Sequence, residues 1–291
     1  MTVQEAKDRL VKVLSPIYKE GESKAISLQV LEYLTGLSSV QQVMHRQTVM
    51  EEIALNRFEK ITAELLDRKP LQYILETCWF MDLQLFVNQH VLIPRPETEE
   101  LADWMIRDLK LQENPLILDV GTGSGCLALA LKKHLPASPV FACDVCEEAL
   151  VVAGRNARQN HLEISFFKLD LLAEEIICPF TLADVIVSNP PYIPLSDLST
   201  LEEHVINHEP HLALFAPTED PLLFYRAIAK LAMHFLKEGG SLYLELHAPY
   251  AKETADLMTG MGFVVAEIKK DMQGLERMLK VNKGIPSLKG C

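Results

Sequence analysis

Apolar residues recur at helical spacing through the first 70 residues. Ala54, Phe58, Ile61 and Leu65 mark one face of a helix that Pro70 is expected to close. Leu28, Leu31 and Leu34, with Val30, mark a second face, ended by Gly36 as a C-cap. This part of the chain predicts a small helical bundle. From residue 79 to 93 the pattern changes to short apolar runs (WFMDLQLFV, HVLI) around Asn88, which predicts a hairpin or an extended connector. Beyond it, strand-like runs at 116–119, Val140–Asp144, 164–169, 185–188 and 241–246 alternate with helical stretches at Cys126–His134 and 221–236. The last two runs, 263–268 and 278–281, are expected to pair antiparallel. Alternation of this kind predicts an α/β fold, a mostly parallel sheet with helices on both faces. Ligands then lie beyond the carboxyl ends of the strands.

Charge divides the chain further. Residues 1–70 hold ten acidic and ten basic side chains, so the net charge of −12 belongs wholly to the remaining 221 of the 291 residues. The break marks a boundary, and we expect domains at 1–74 (helical) and 95–284 (α/β), with a hairpin linker at 75–94 and a tail at 285–291. Forty acidic against 28 basic residues argue against non-specific phosphate binding, which needs clustered Lys and Arg. The N-terminus MTVQEAKDRL lacks an apolar signal core, and no stretch approaches the roughly 20 apolar residues of a membrane span. Cys78, Cys126, Cys143, Cys146, Cys178 and Cys291 are too scattered for a disulfide scaffold, so a cytoplasmic location is expected.

Candidate chemistry concentrates at two strand ends. Asp119-Val120-Gly121-Thr122-Gly123-Ser124-Gly125 lies between a strand and a helix, where glycines let the backbone approach a ligand closely. Asp144 follows the next strand, 23 residues beyond Gly121, a position suited to ribose hydroxyls. The dinucleotide fingerprint wants glycine where Cys126 stands, and a phosphate loop wants Gly-Lys-Ser/Thr, which is absent. An acid-x-Gly-x-Gly-x-Gly loop instead fits S-adenosylmethionine, with Asp119 expected to favour the cofactor's cationic end.

The second site is Asn189-Pro190-Pro191-Tyr192, directly after the 185–188 strand. An amide nitrogen is a poor nucleophile because its lone pair is delocalised. The Asn189 side-chain oxygen and the Pro190 carbonyl can accept its two N–H bonds and aim the emerging lone pair at a methyl donor. Two prolines stiffen the loop, and Tyr192 is expected to offer a flat face to a planar substrate.

With these motifs the chain resembles the release-factor glutamine methyltransferase family (PrmC/HemK) from about residue 70 to 281. The likeness rests on Pro70-Leu71-Gln72-Tyr73, Leu92-Ile93-Pro94-Arg95-Pro96-Glu97-Thr98-Glu99, the glycine loop and Asn189-Pro190-Pro191-Tyr192-Ile193. Glu209-Pro210 before Leu212-Ala213-Leu214, and Phe224-Tyr225-Arg226, agree with it. The resemblance implies a Rossmann-like methyltransferase sheet behind a helical domain. It also implies methyl transfer from S-adenosylmethionine, leaving S-adenosylhomocysteine, to the glutamine of the Gly-Gly-Gln loop in peptide chain release factors. By matching position, Asp119, Gly121, Thr122, Gly123, Ser124, Gly125, Asp144, Asp170, Leu171 and Asn189 would bind cofactor. Asn189 and Pro190 would be catalytic, and with Pro191 and Tyr192 would hold the glutamine. Residues 1–74 would help grip the release factor, with a monomer, no membrane and no direct nucleic-acid binding expected. The chain departs from the family pattern at Glu76, at His247 in Leu244-Glu245-Leu246-His247, and at Gly274-Leu275-Glu276-Arg277.

Other constellations carry less. Cys143-x-x-Cys146 straddles Asp144 and lacks a second pair, so it reads as incidental cysteines and not as a redox or zinc site. His204, His208 and His211 are interrupted by Pro210 and read as a solvated loop near the substrate mouth, with no metal expected. Thr122 stands where a nucleophile elbow around Ser124 needs glycine. Two alternatives remain: an amino-methyltransferase acting on adenine or guanine in nucleic acid, and a cofactor-binding scaffold without turnover.

Overall fold

A computed structural model describes residues 1–216 and 220–284; the expected tail at 285–291, with Cys291, lies outside the described residues. The chain forms two compact units. The first comprises Met1–Glu76 with Glu203–His208, the second the described residues of 77–202 and from Glu209 onward.

The first unit is helical: α1 (Val3–Leu14), α2 (Glu20–Thr35), α3 (Ser39–Met44), α4 (Glu52–Leu66) and α5 (Leu71–Leu75). Thr2 and Glu5 cap α1 reciprocally, each side chain taking the other's backbone N–H. Phe58, Ile61 and Leu65 of α4 are buried with Leu10, Leu14, Val30 and Leu31. Leu28 and Leu34 are only half-buried, because the inner face of α2 runs through Ile26, Val30 and Leu31 with the small Ser23 and Ser27. Gly36 ends α2 at φ +70°, as its position predicts. Pro70, however, does not close α4. That helix stops at Leu66 and Arg68 turns to φ +57°, so Pro70 instead stands before the first residue of α5. The departure at Glu76 also falls on a left-handed position, φ +53°, which glycine occupies without strain.

The second unit opens with an antiparallel hairpin, β1 (Cys78–Phe80) and β2 (Leu83–Leu85). Its turn is at Met81-Asp82, with Met81 at φ +51°, so both strands lie inside the first apolar run and none pairs across Asn88. Phe80, Leu83 and Leu85 face the core, which fixes the register; Asn88 instead accepts the His90 N–H in a loop. There follow α6 (Pro96–Leu109), β3 (Ile117–Val120), α7 (Cys126–His134), β4 (Val140–Asp144), α8 (Glu147–Gln159), β5 (Ser165–Lys168) and β6 (Ala183–Ser188). After α9 (Glu203–His208), which belongs to the first unit, come α10 (His211–Leu214), α11 (Leu223–Phe235), β7 (Leu236–Glu245), α12 (Ala251–Gly260), β8 (Phe263–Lys270) and β9 (Glu276–Lys283).

The seven-stranded sheet has the order β5-β4-β3-β6-β7-β9-β8, with β3 to β7 parallel and β9 antiparallel to both neighbours. Strand alternation divides the core between the two faces. Ile117, Val185 and Val187 pack with α6 and α7, whereas Leu118, Val120 and Ile186 pack with α11 and α12. Gly239 and Gly240 lie within β7, beside a shift in the β6–β7 register. A Cβ on Gly240 would stand 2.9 Å from the Asp184 carbonyl, a close approach that requires glycine. The order reverses between β3 and β6, and the carboxyl ends of these strands form the crevice where such sheets bind ligands.

Candidate active site

The glycine loop is tied down at both ends. The N–H groups of Gly121 and Thr122 both donate to the Cys143 carbonyl at 2.9 Å, joining the loop to the end of β4. Gly121 and Gly123 hold φ of +73° and +53°. Gly125, at φ +83°, also lets α7 begin close to α8: a Cβ there would meet that of Ala153 at 3.2 Å. Asp144 crosses the loop from β4, accepting the Gly123 N–H at 2.9 Å on one oxygen and the Cys146 N–H at 3.0 Å on the other. Burial raises its pKa.

Asn156 of α8, fully buried, supports the loop from behind. Its NH2 donates to the carbonyls of Ser124 and Phe86, and its oxygen accepts the Phe86 N–H at 2.7 Å. Asn156→Ala strands one buried and two part-buried backbone groups and is expected to cost about 2 kcal/mol. Thermal unfolding measures this; a melting temperature equal to wild type would show that the bridge does not stabilise the loop.

The crevice contains a cavity of about 480 Å³, within the range of small-molecule sites. Gly121, Thr122, Gly123, Ser124 and Asp144 line one side, Asp170 and Leu171 continue it, and Asn189, Pro190 and Pro191 form the facing wall. Asp170, which is exposed, turns its carboxylate to the Leu172 N–H at 2.9 Å.

Three expected site residues stand elsewhere. Asp119 does not line the cavity, because alternation along β3 places it on the Ile117 side, under the loop. It is 1% exposed, its carboxyl accepts the Thr122 hydroxyl at 2.7 Å, and burial pushes its pKa up to about 7. Its Oδ2 braces the loop through Thr122. Gly125 serves the loop's geometry without lining the cavity. Tyr192 does not present its face to the cavity either. Its ring stacks on His247 at 5.4 Å and its hydroxyl donates to Glu245 Oε1 at 3.1 Å.

Asn189 heads a chain of hydrogen bonds into the core. Its Nδ2 donates to Thr98 Oγ1 at 3.1 Å, and the Thr98 hydroxyl donates to Glu245 Oε2 at 2.6 Å. Thr98 and Glu245 are 3% and 1% exposed, and burial pushes the Glu245 pKa up to about 7. Because Nδ2 is taken by Thr98, Oδ1 is left as the amide's acceptor. A second brace lies nearby: Arg95, which lines the cavity, pairs at 2.6 Å with the buried carboxylate of Glu209, whose other oxygen takes the Ile93 N–H at 3.4 Å. Sequence reading assigned no role to Thr98, Glu245, Asn156 or the Arg95–Glu209 pair. The available signal was an acid inside an apolar strand, Leu244-Glu245-Leu246, since such a group must find partners when buried.

The remaining candidates separate. Cys126, Cys143 and Cys146 line the cavity as free thiols, and burial raises the pKa of each, keeping them protonated. His204 and His208 lie on α9 in the first unit and His211 on α10 in the second, so they form short helices and not one loop. Among the described residues, no group of three or more His, Cys, Asp or Glu could hold a metal, and no helix is long and apolar enough to cross a membrane.

Comparison with known proteins agrees with this architecture. Residues 5–75 match the family model "PrmC N-terminal domain", and residues 98–210 match "Methyltransferase small domain". A release factor glutamine methyltransferase of Flavobacterium psychrophilum is 40% identical over 286 residues, covering 97% of this chain and 99% of that protein. One from Bacteroides thetaiotaomicron is 36% identical over 93% of this chain and 96% of its own length. Among solved structures, a methyltransferase from Pyrococcus furiosus matches with a TM-score of 0.53 at 20% identity, over 78% of this chain and all of that one. That likeness concerns the fold.

Proposed function

The chain belongs to the release factor glutamine methyltransferase family, and on that premise we propose that it methylates the side-chain amide nitrogen of the Gly-Gly-Gln glutamine in peptide chain release factors. The observation that carries this reading is the pairing, across one cavity, of a nucleoside-type loop and acid with an asparagine whose amide oxygen is left as an acceptor. S-adenosylmethionine, when bound, supplies an electrophilic methyl group on a sulfonium sulphur.

The residues present fit that cofactor. Gly121–Gly125 leaves backbone room for its amino-acid end, the Asp144 carboxylate suits ribose hydroxyls, and Asp170 with Leu171 would hold its adenine. Opposite them, Asn189 Oδ1 and the Pro190 carbonyl accept the two N–H bonds of the target amide. Holding both hydrogens favours a pyramidal nitrogen and directs its lone pair toward the cofactor side. Pro190 and Pro191 keep these acceptors fixed, so little ordering cost falls on the reaction. The apolar walls, Phe215 and Phe224 among them, exclude water and strengthen each hydrogen bond to the amide. Tyr192 acts from behind, through Glu245. Residues 1–74 serve substrate recognition in this reading, in a cytoplasmic monomer that does not depend on nucleic acid. The nucleic-acid alternative has no support from the named relatives.

Labelled S-adenosylmethionine offered with release factor or with nucleic acid tests the reading. Label is expected in the protein substrate alone. Label in nucleic acid alone would contradict it.

A further inference from the structure

We propose that Glu245 and Thr98 are positioning residues that fix which atom of the Asn189 amide faces the substrate. This rests on the functional reading above and adds to it the means by which Asn189 is held as an acceptor.

A threonine hydroxyl carries a single hydrogen. Glu245, as a carboxylate, only accepts, and both of its oxygens are engaged, by Thr98 at 2.6 Å and Tyr192 at 3.1 Å. Thr98 must therefore spend its hydrogen on Glu245, and its remaining capacity toward Asn189 is that of an acceptor. Only the NH2 of Asn189 can satisfy it, and the 3.1 Å contact from Nδ2 is that bond. The amide oxygen is thus turned to the place where the substrate's N–H groups need an acceptor. Glu245→Gln reverses the chain: the Tyr192 hydroxyl, which donates to position 245, keeps the new amide oxygen and leaves the NH2 to Thr98, which then accepts from it, donates to Asn189 Oδ1, and flips that amide to present NH2 against the substrate NH2.

Every member is held so that the direction persists. Thr98 lies in the first turn of α6 and Glu245 at the end of β7, and both are buried. The Tyr225 hydroxyl, from α11, donates to the Glu245 carbonyl at 3.1 Å and accepts the His247 N–H at 3.1 Å. Arg277 of β9 donates to the Leu246 carbonyl and its charge favours ionised Glu245, whereas Glu97 of α6 opposes it. Tyr192 and Tyr225 stay protonated because burial raises both. Glu245 changes charge near neutrality, at about 7, whereas the His247 imidazole stacked on Tyr192, its pKa lowered by burial, changes charge at lower pH. The ionised form of Glu245 is lost as pH falls, and the direction of the chain with it.

Steady-state methyl transfer to a release factor, measured from mildly acidic to mildly alkaline pH, tests this with the whole chain and Glu245→Gln, Thr98→Val and Thr98→Ser. Glu245→Gln is expected to lower kcat by about a hundredfold. S-adenosylhomocysteine affinity and the KM for release factor should stay within about threefold, the signature of an interaction expressed only in turnover. Wild-type kcat should rise with pH through 7, and the residual activity of Glu245→Gln should lack that rise. Thr98→Val should match the loss, and Thr98→Ser, which keeps the hydroxyl, should recover at least about tenfold of it. Unchanged kcat in Glu245→Gln, or a loss confined to cofactor affinity, overturns the proposal. Should Glu245→Gln fail to fold, the Thr98 pair decides: recovery by serine supports the chain, and equal kcat for valine and serine overturns it. A wild-type chain that methylates nothing overturns the functional reading, and the positioning role falls with it.

Discussion

Asn189→Ala is expected to lower turnover by about a thousandfold, the scale seen when a placed polar contact to a reacting group is removed. The substitution deletes the side-chain acceptor for the target amide and leaves only the Pro190 carbonyl. The amide can then rotate in the cavity, its nitrogen remains planar, and few encounters present a lone pair in line. Cofactor affinity should stay within about threefold, because the glycine loop and Asp144 are held by backbone contacts that do not involve Asn189. Single-turnover rates with saturating cofactor measure the first quantity, and calorimetric titration with S-adenosylhomocysteine the second. Near-normal turnover would remove Asn189 from the mechanism. A large loss of affinity with normal turnover would assign it to the cofactor alone.

The converse pattern is expected for Asp144→Ala. Here cofactor affinity should fall by about a hundredfold, as when a site built around a hydroxyl's partner loses that partner. Two effects add. The carboxylate suited to ribose hydroxyls disappears, and the N–H groups of Gly123 and Cys146 lose their acceptor, so the loop that shapes the cavity is released as well. Turnover at saturating cofactor should change far less, since the wall formed by Asn189 and Pro190 is built by β6 and braced from α6 and β7. Titration with S-adenosylhomocysteine checks the affinity; a value within about threefold of wild type would exclude Asp144 as a cofactor contact. Together the two substitutions separate holding the cofactor from presenting the amide.

What could be read from the sequence follows from where its chemistry lies along the chain. The glycine loop and Asn189-Pro190-Pro191 each follow directly on an apolar strand and Asp144 ends one, so a strand pattern alone puts them at one sheet edge. Parallel order then brings residues 67 positions apart into one cavity, as it does Thr122 and Asn189. The supporting residues obey no such rule. Thr98 and Glu245 meet across 147 positions where α6 packs on the sheet, and Phe86 and Asn156 across 70 where a loop meets α8, through tertiary packing that no local pattern specifies. Tyr192 illustrates the complementary failure. Its neighbourhood in sequence implied a substrate-facing ring, but the proline pair carries the chain past the cavity, and the ring stacks on His247 instead. His247 is itself a departure from the family pattern, so the partner of Tyr192 could not be anticipated from the resemblance. Asp119 lies one step along β3 from Val120, which lines the cavity, and strand alternation turns it to the other face.

The same physical logic explains the hairpin and β7. An apolar run holds two strands when a turn fits inside it, as Met81-Asp82 does, and glycines continue a strand where a neighbouring carbonyl comes too close for a side chain, as at Gly240.

The central claim is that one particular amide nitrogen receives the methyl group, and tandem mass spectrometry of the product tests it most directly. A purified release factor is incubated with this protein and S-adenosylmethionine, digested and sequenced by fragmentation, beside a copy in which the glutamine of Gly-Gly-Gln is replaced by alanine. A single added methyl is expected on that glutamine side chain and none on the altered copy. Methylation of another residue, or equal methylation of both copies, would contradict it.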